Sequence, residues 1–160
     1  MLILLSIPLS WSQEKHTLPE DKINKEQLLN LVNQIRAEGC QCGDTYMPPV
    51  PPLKWNDTLA KSAFLHSKDM VDKNYHSHYS LDGKGPNQRA YKLKYTSDVG
   101  IGENICAGAE NEVEAVNGWK GSPEHCKNMM NEKWTEMGIG MYKGRWTQVF
   151  GGKKQSIDKK

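Results

Sequence analysis

The chain has 160 residues, the usual length of one domain, and 37% of them are apolar, which is enough to form a sizeable core. Its 21 Lys and Arg residues against 19 Asp and Glu give a formal net charge of +2. This weak charge excludes the concentrated basic surface that nucleic-acid-binding proteins use, so we expect no nucleic-acid partner.

Residues 1–12 form an apolar segment that is too short for a membrane span of about 20 residues. Ser10 and Ser12 place small residues where a signal peptidase cleaves, which predicts a signal peptide ending near Gln13. The abrupt change to polar residues disfavours the alternative, a buried N-terminal strand. Residues 13–24 are polar and predicted to be flexible. Because no second long apolar run follows, we expect a secreted, extracytoplasmic protein without a transmembrane segment.

The first half of the chain predicts two helices separated by a proline-rich loop. Apolar residues recur every three or four positions between Lys25 and Ala37, as on one face of a helix. Residues 39–52 are rich in Gly and Pro and can form neither a helix nor a central strand. Asn56 is a suitable N-cap for a second helix that extends to about Lys73.

The second half predicts short helices and strands in an irregular order. The predicted helices are one with Pro86 in its first turn, one from about Glu112 to Trp119, and one opened by Ser122 and Pro123. The predicted strands are a β-like stretch at 99–108, Met137–Lys143 and Trp146–Phe150, the last two joined by a tight turn. This order lacks a regular β-α alternation, so we predict an α+β domain at 25–152, followed by a flexible basic tail at 153–160.

The cysteines are four in number, and an even count in an exported chain suggests disulfides. A bond between Cys40 and Cys42 is disfavoured, because one intervening residue closes a strained ring. Each of these two residues is therefore expected to pair with Cys106 or Cys126, and both pairings stay open. A zinc site with four cysteine ligands is the weaker alternative, because the spacing lacks the paired knuckles of zinc ribbons.

Histidines and glutamates supply the candidate site residues. His66 falls within an apolar helical stripe, which is typical of a hydrogen-bonded core or boundary histidine. His125 is predicted at the third position of a helix, where the helix dipole lowers its pKa and favours the neutral imidazole. A neutral histidine suits metal ligation or general-base chemistry, although it can also simply pack the helix start. Glu103 lies among apolar residues, and if buried it needs a partner such as histidine.

Five segments in order carry a family resemblance. They are residues 51–70, 76–83, 102–108, 118–131 and 134–152, which include the sequences HSHYSLDG, GENICAG and GSPEHC. Together they resemble the CAP superfamily of cysteine-rich secretory proteins, antigen 5 and pathogenesis-related-1 proteins, in its secreted bacterial branch. The resemblance implies a three-layer α-β-α sandwich, with a small, mainly antiparallel sheet between helical layers and a surface cleft.

The family cleft holds two His and two Glu, often with a divalent metal such as zinc. The resemblance transfers these roles to four residues here, His78, Glu103, Glu114 and His125. Eukaryotic members carry another histidine where this chain has Arg145, so His125 must supply the second imidazole. His76 replaces a usual aromatic residue, and Glu124 replaces a common glycine. The second glutamate is the least secure assignment, with Glu110 and Glu112 as alternatives to Glu114.

Three functions stay open at this level. The one we favour is a monomeric binding module whose cleft holds Zn²⁺ or another divalent cation, and with it a small ligand, lipid or peptide. No nucleophile with an activating base is evident. The alternative is a hydrolase of peptides or cell-wall glycans, using zinc-activated water or Glu103 and Glu114 as a carboxylate pair. In the third, the four residues form only a structural hydrogen-bond network.

Overall fold

The computed structural model describes residues 23–153. The predicted signal peptide, most of the predicted flexible segment and all but the first residue of the predicted tail lie outside this range. The helices are α1 (Lys25–Glu38), α2 (Asp57–Asp72), α3 (Pro86–Lys92), α4 (Glu112–Gly121) and α5 (Pro123–Met129). The strands are β1 (Cys40–Cys42), β2 (Thr45–Met47), β3 (Lys54–Trp55), β4 (Gly102–Ala107), β5 (Glu136–Tyr142) and β6 (Arg145–Gly151).

Asparagine side chains cap the first two helices, and the cap at Asn56 is the one that the sequence predicts. The side chain of Asn24 accepts a hydrogen bond from the backbone of Gln27, and the side chain of Asn56 caps α2 in the same way. The small β1–β2 hairpin was not predicted, because it forms within the segment that the glycine and proline content marks as a loop. The hairpin is a separate two-stranded sheet, so the segment contributes no central strand to the main sheet, as expected.

The main sheet has four strands in the order β3-β5-β6-β4. Only the β3–β5 pair is parallel, which confirms the predicted α+β fold with a mainly antiparallel sheet. Helix α2 packs on one face, and the larger apolar core on the other face is shared with α1, α4 and α5. Because β4 is an edge strand, side chains from both helical layers can meet beside it.

Two glycines of β5 bring α2 unusually close to the sheet. A Cβ atom at Gly138 would lie 2.0 Å from the backbone nitrogen of Ala60, and one at Gly140 would lie 2.1 Å from that of Phe64. Any larger residue would therefore displace the helix backbone. The side chains of Met137 and the other alternating residues of β5 fill the opposite face, as strand geometry requires.

A buried arginine fixes the end of α5 against α1. Arg36 has no exposed surface, and it donates hydrogen bonds to the carbonyl oxygens of Pro51, Met129 and Asn131 at 2.9, 2.6 and 3.1 Å. Burial lowers the pKa of Arg36 to about 10, so the guanidinium stays charged at neutral pH. One side chain thus joins the proline-rich loop, α1 and the segment that follows α5.

Candidate functional site

The edge strand β4 places two buried polar side chains on opposite faces of the sheet. Glu103 points toward α2 and α3, whereas Asn104 points toward α5. Consecutive residues of a strand alternate in this way, so one dipeptide contacts both helical layers. Glu103 and Asn104 are 8% and 0% exposed, which means that both must find their hydrogen-bond partners within the protein.

The carboxylate of Glu103 is fully engaged. Its Oε1 atom lies 2.9 Å from Nδ1 of His78, and its Oε2 accepts a hydrogen bond from Arg89 at 2.6 Å. Nε2 of His66 lies 3.8 Å from the same Oε1. The expectation that a buried Glu103 would need a histidine partner is therefore confirmed. Sequence reasoning missed Arg89, whose only signal was a basic residue in the short helix after Pro86.

Arg89 also holds the loop that carries His78. One guanidinium nitrogen donates to the carbonyl oxygens of His78 and Lys84, at 2.9 and 2.8 Å, and contacts the Ser80 hydroxyl at 3.3 Å. Its side chain is only 12% exposed. The imidazole of His78 is consequently positioned twice, through its ring by Glu103 and through its backbone by Arg89.

On the other side of β4, neutral amides hold α5 in place. Nδ2 of Asn104 donates to the carbonyl oxygen of His125 at 3.1 Å and to Oε1 of Gln148 at 3.0 Å. Nδ2 of Asn128 donates to the carbonyl oxygen of Glu103 at 3.1 Å and to Oδ1 of Asn104 at 2.9 Å. This network ties His125 to the strand that carries Glu103.

His78, Glu103 and His125 line one open cavity of about 410 Å³. All eight of its lining residues are polar or charged, the other five being Asn104, Glu124, Lys127, Asn128 and Asn131. Three of the four residues transferred from the family therefore share a solvent-reachable space, even though they are far apart in the sequence.

Glu114 does not join them. Its carboxylate accepts hydrogen bonds from the backbone nitrogen of Glu110 at 2.9 Å and from Nδ2 of Asn111 at 3.0 Å, at the start of α4. Glu112 accepts a hydrogen bond from the backbone of Asn24, and neither Glu110 nor Glu112 is among the residues that line the cavity. The second glutamate of the cavity is Glu124, and its substitution for a common glycine was the signal that could have identified it.

The surroundings of His125 and His66 explain the direction in which their pKa values shift. Burial, together with the nearby His78 and His76, lowers the pKa of His125, while Glu124 opposes the shift. The predicted direction is confirmed, with burial as the largest cause. Burial likewise lowers the pKa of His66, whose Nε2 lies 2.9 Å from the carbonyl oxygen of Ser77, as expected for a core histidine.

His76 differs from His78 in its position. His76 is exposed and absent from the cavity lining, whereas the side chain of His78 is 45% exposed and lines the cavity. Partial desolvation of its ring lowers the pKa of His76, and the charges of Arg145 and His78 add to the shift. Of the two loop histidines, His78 is the one that contacts Glu103.

The ligand set fits a metal only in part. A metal-binding histidine usually donates its second ring nitrogen to a carboxylate, and the His78–Glu103 contact has this form. Glu103 is occupied by His78 and Arg89, so it is an orienting partner rather than a free ligand. Within residues 23–153, the groups of three or more potential ligand atoms lying within 4.8 Å of one another comprise only Cys40, Cys42 and Cys126.

The cysteines form one disulfide. Cys42 and Cys126 are bonded, which joins β1 to α5 across a sequence separation of 84. Cys40 and Cys106 carry free thiols, so the expected second disulfide does not form in this structure. Cys106 lies outside the group made by the other three sulfurs, which also argues against the four-cysteine zinc alternative. Burial raises the pKa of the Cys106 thiol to about 11.

The family model of the cysteine-rich secretory protein family, CAP, matches residues 29–150. The chain belongs to the CAP family. It is 38% identical to YkwD of Bacillus subtilis over 106 residues. These residues make up 64% of this chain and 40% of YkwD. It is 31% identical over 127 residues to YlbC of the same organism, which is named a membrane protein. These residues make up 79% of this chain and 34% of YlbC. The CAP chain thus spans well under half the length of these curated relatives.

Solved structures agree with this membership. An extracellular SCP-domain protein from Bacillus anthracis superimposes with a TM-score of 0.70 at 35% identity, over 80% of this chain and 40% of that one. An outer surface protein from Borrelia burgdorferi has a TM-score of 0.66 at 22% identity, over 81% and 92% of the two chains, and shows the fold alone. No helix between residues 23 and 153 is long and apolar enough to cross a membrane.

Proposed function

We propose that this CAP domain is a binding module whose cleft takes a divalent cation, with Zn²⁺ as the first candidate, through the imidazoles of His78 and His125. The observation that carries the proposal is the 2.9 Å contact from Nδ1 of His78 to Glu103, beside the cavity that His125 also lines. A bound cation would supply a Lewis-acidic point of attachment for an anionic or carbonyl group of a ligand.

The proposed ligand atoms follow from the tautomers. An imidazole that donates Nδ1–H to a carboxylate keeps the lone pair of Nε2 free for a cation. Glu103 favours this tautomer of His78, because its Oε1 accepts at that position. The lowered pKa of His125 favours its neutral form at neutral pH, which is the form that binds metal.

Binding is favoured over hydrolysis because the carboxylates are poorly placed for proton transfer. Both oxygens of Glu103 are occupied by His78 and Arg89, and the side chain of Glu124 is 82% exposed and paired with Lys127. Neither is a desolvated free base, and Glu114 lies outside the cavity. Because each lining residue is polar or charged, the cavity favours a small polar or anionic ligand over a lipid.

We place the module outside the cytoplasm. The Bacillus anthracis relative is described as extracellular, and the Cys42–Cys126 disulfide is of the kind that persists in an oxidising compartment. The apolar segment at residues 1–12, the predicted signal peptide, supports the same localisation. Detection of the mature chain in culture medium, with an N-terminus near Gln13, is the expected result of N-terminal sequencing.

Calorimetric titration of the full chain with Zn²⁺ tests the cation site. Ser replaces the free thiols of Cys40 and Cys106 in every variant, because thiols compete for zinc. We expect His78→Ala and His125→Ala each to lose at least about tenfold in affinity.

Glu114→Gln is the matched control and should bind Zn²⁺ as tightly as its parent, because its carboxylate bonds to Glu110 and Asn111 and does not line the cavity. Glu103→Gln should weaken binding by roughly tenfold or more through loss of the charged partner of His78. Equal affinity in the parent and in His78→Ala and His125→Ala would refute the proposed site.

A further inference from the structure

We infer that Cys40 and Cys42 compete for Cys126, so that the folded chain interconverts between a Cys42–Cys126 and a Cys40–Cys126 disulfide. The three residues are called the sulfur cluster below. The inference does not rest on the proposed metal site, because it concerns a different group of side chains, the three sulfurs between β1 and α5.

Strand geometry brings the two competitors to the same face. Cys40 and Cys42 are two residues apart in β1, so their side chains point in the same direction, and both are buried. Gln41 between them points outward and is exposed. Both thiol positions of β1 therefore face α5, where Cys126 is fully buried.

The distances place the free thiol beside the bond. The sulfur of Cys40 lies 3.3 Å from that of Cys126 and 3.7 Å from that of Cys42. Cys106, the other free cysteine, does not belong to this group. These distances place the Cys40 sulfur beside the Cys42–Cys126 bond and not in line with it, so the side chains must rotate before Cys40 attacks.

The exchange step is balanced within the protein. The thiolate of Cys40 attacks Sγ of Cys126, the Cys40–Cys126 bond forms, and the Cys42–Cys126 bond breaks to release the thiolate of Cys42. The proton lost by Cys40 is returned to Cys42 through solvent. One disulfide and one thiol exist before and after the step, so no oxidant or reductant is consumed.

The surroundings set the rate of exchange. Burial raises the pKa of the Cys40 thiol, while the charge of Lys120 opposes the shift. Because only the thiolate attacks, the exchange accelerates as the pH rises toward that pKa. A thiol with 8% exposure reacts slowly with external disulfides, which favours the internal partner.

The test locates the free thiol. A Cys106→Ser chain is incubated at pH 8, and acid then stops the exchange. The protein is unfolded at pH 4 with a maleimide, and the labelled peptides are identified by mass spectrometry. We expect label on both Cys40 and Cys42, in a ratio that does not change when the protein is diluted. Label confined to Cys40 would overturn the inference.

Two variants in the same background complete the design. Cys40→Ser should carry no label, because its two remaining cysteines, Cys42 and Cys126, are bonded to each other and no free thiol is left. Cys42→Ser should also lose all label, because Cys40 and Cys126 join in it. Label on both Cys40 and Cys126 of that variant would show that the second disulfide cannot form. The measurement on the parent does not depend on whether the variants fold.

Discussion

The two sides of β4 hold the same cleft together by different chemistry. On the Glu103 side, a buried carboxylate binds an arginine and a histidine, with no covalent connection between the elements. On the Asn104 side, neutral amides contact α5, and the Cys42–Cys126 disulfide fixes that helix to β1. The cleft depends on both sides, since each one positions one of its histidines.

The difference teaches that the two histidines respond to different conditions. The position of His78 depends on charge, because the groups that hold it are ionisable. The position of His125 depends on the redox state, because the neighbouring residue, Cys126, is half of the disulfide. We therefore expect acid to weaken the first side and reductant to weaken the second.

The largest effect is expected from Glu103→Gln. Removing the carboxylate leaves the guanidinium of Arg89 without its counter-charge in a nearly buried position. Loss of one partner from a buried pair costs about 3 to 5 kcal/mol, measured as the free energy of unfolding in urea. Glu132→Gln, a change at an exposed glutamate, is the control and should stay within about 0.5 kcal/mol of the parent. Equal free energies of unfolding in the two variants would show that the Glu103–Arg89 pair does not stabilise the fold.

A somewhat smaller loss is expected from Cys126→Ser. This change removes the disulfide whichever cysteine of β1 is its partner, and closure of so long a loop contributes about 2 to 4 kcal/mol. Cys40→Ser keeps the Cys42–Cys126 bond and should melt near the parent temperature in calorimetry. Added reductant should abolish the difference between the two variants. A difference that persists in reductant would assign the effect to packing.

The smallest effect is a pH dependence on the Glu103 side. Burial lowers the pKa of His66 below its unfolded value of about 6.5, so the folded state favours the neutral ring. The stability from this group is complete above about pH 6.5 and falls as the pH drops toward the folded pKa, by at most about 1.4 kcal/mol per pH unit.

Urea unfolding between pH 7.5 and 5 measures that slope. His66→Gln should reduce it, while Asn30→Ala, an exposed and non-titrating change on α1, should leave it unchanged. His125 has a pKa shifted in the same direction, so part of the slope should remain in His66→Gln. An identical slope in the parent and in His66→Gln would show that His66 does not titrate with unfolding.

Local patterns predicted most of the elements. The spacing of apolar residues marked α1, the cap at Asn56 marked the start of α2, and Pro123 marked the start of α5. The β1–β2 hairpin escaped prediction, because it forms within a segment whose glycine and proline content indicates a loop.

The sequence by itself determined the class of the domain, its helix boundaries and the identity of three cavity residues, because these depend on local periodicity, capping and motif order. Only the tertiary structure decided that Arg89 occupies the second oxygen of Glu103, that Glu124 rather than Glu114 lines the cavity, and that Cys42 bonds to Cys126. Each of these facts is a distance between elements far apart in the chain. Such distances are set by how the layers pack on the sheet and not by any local pattern.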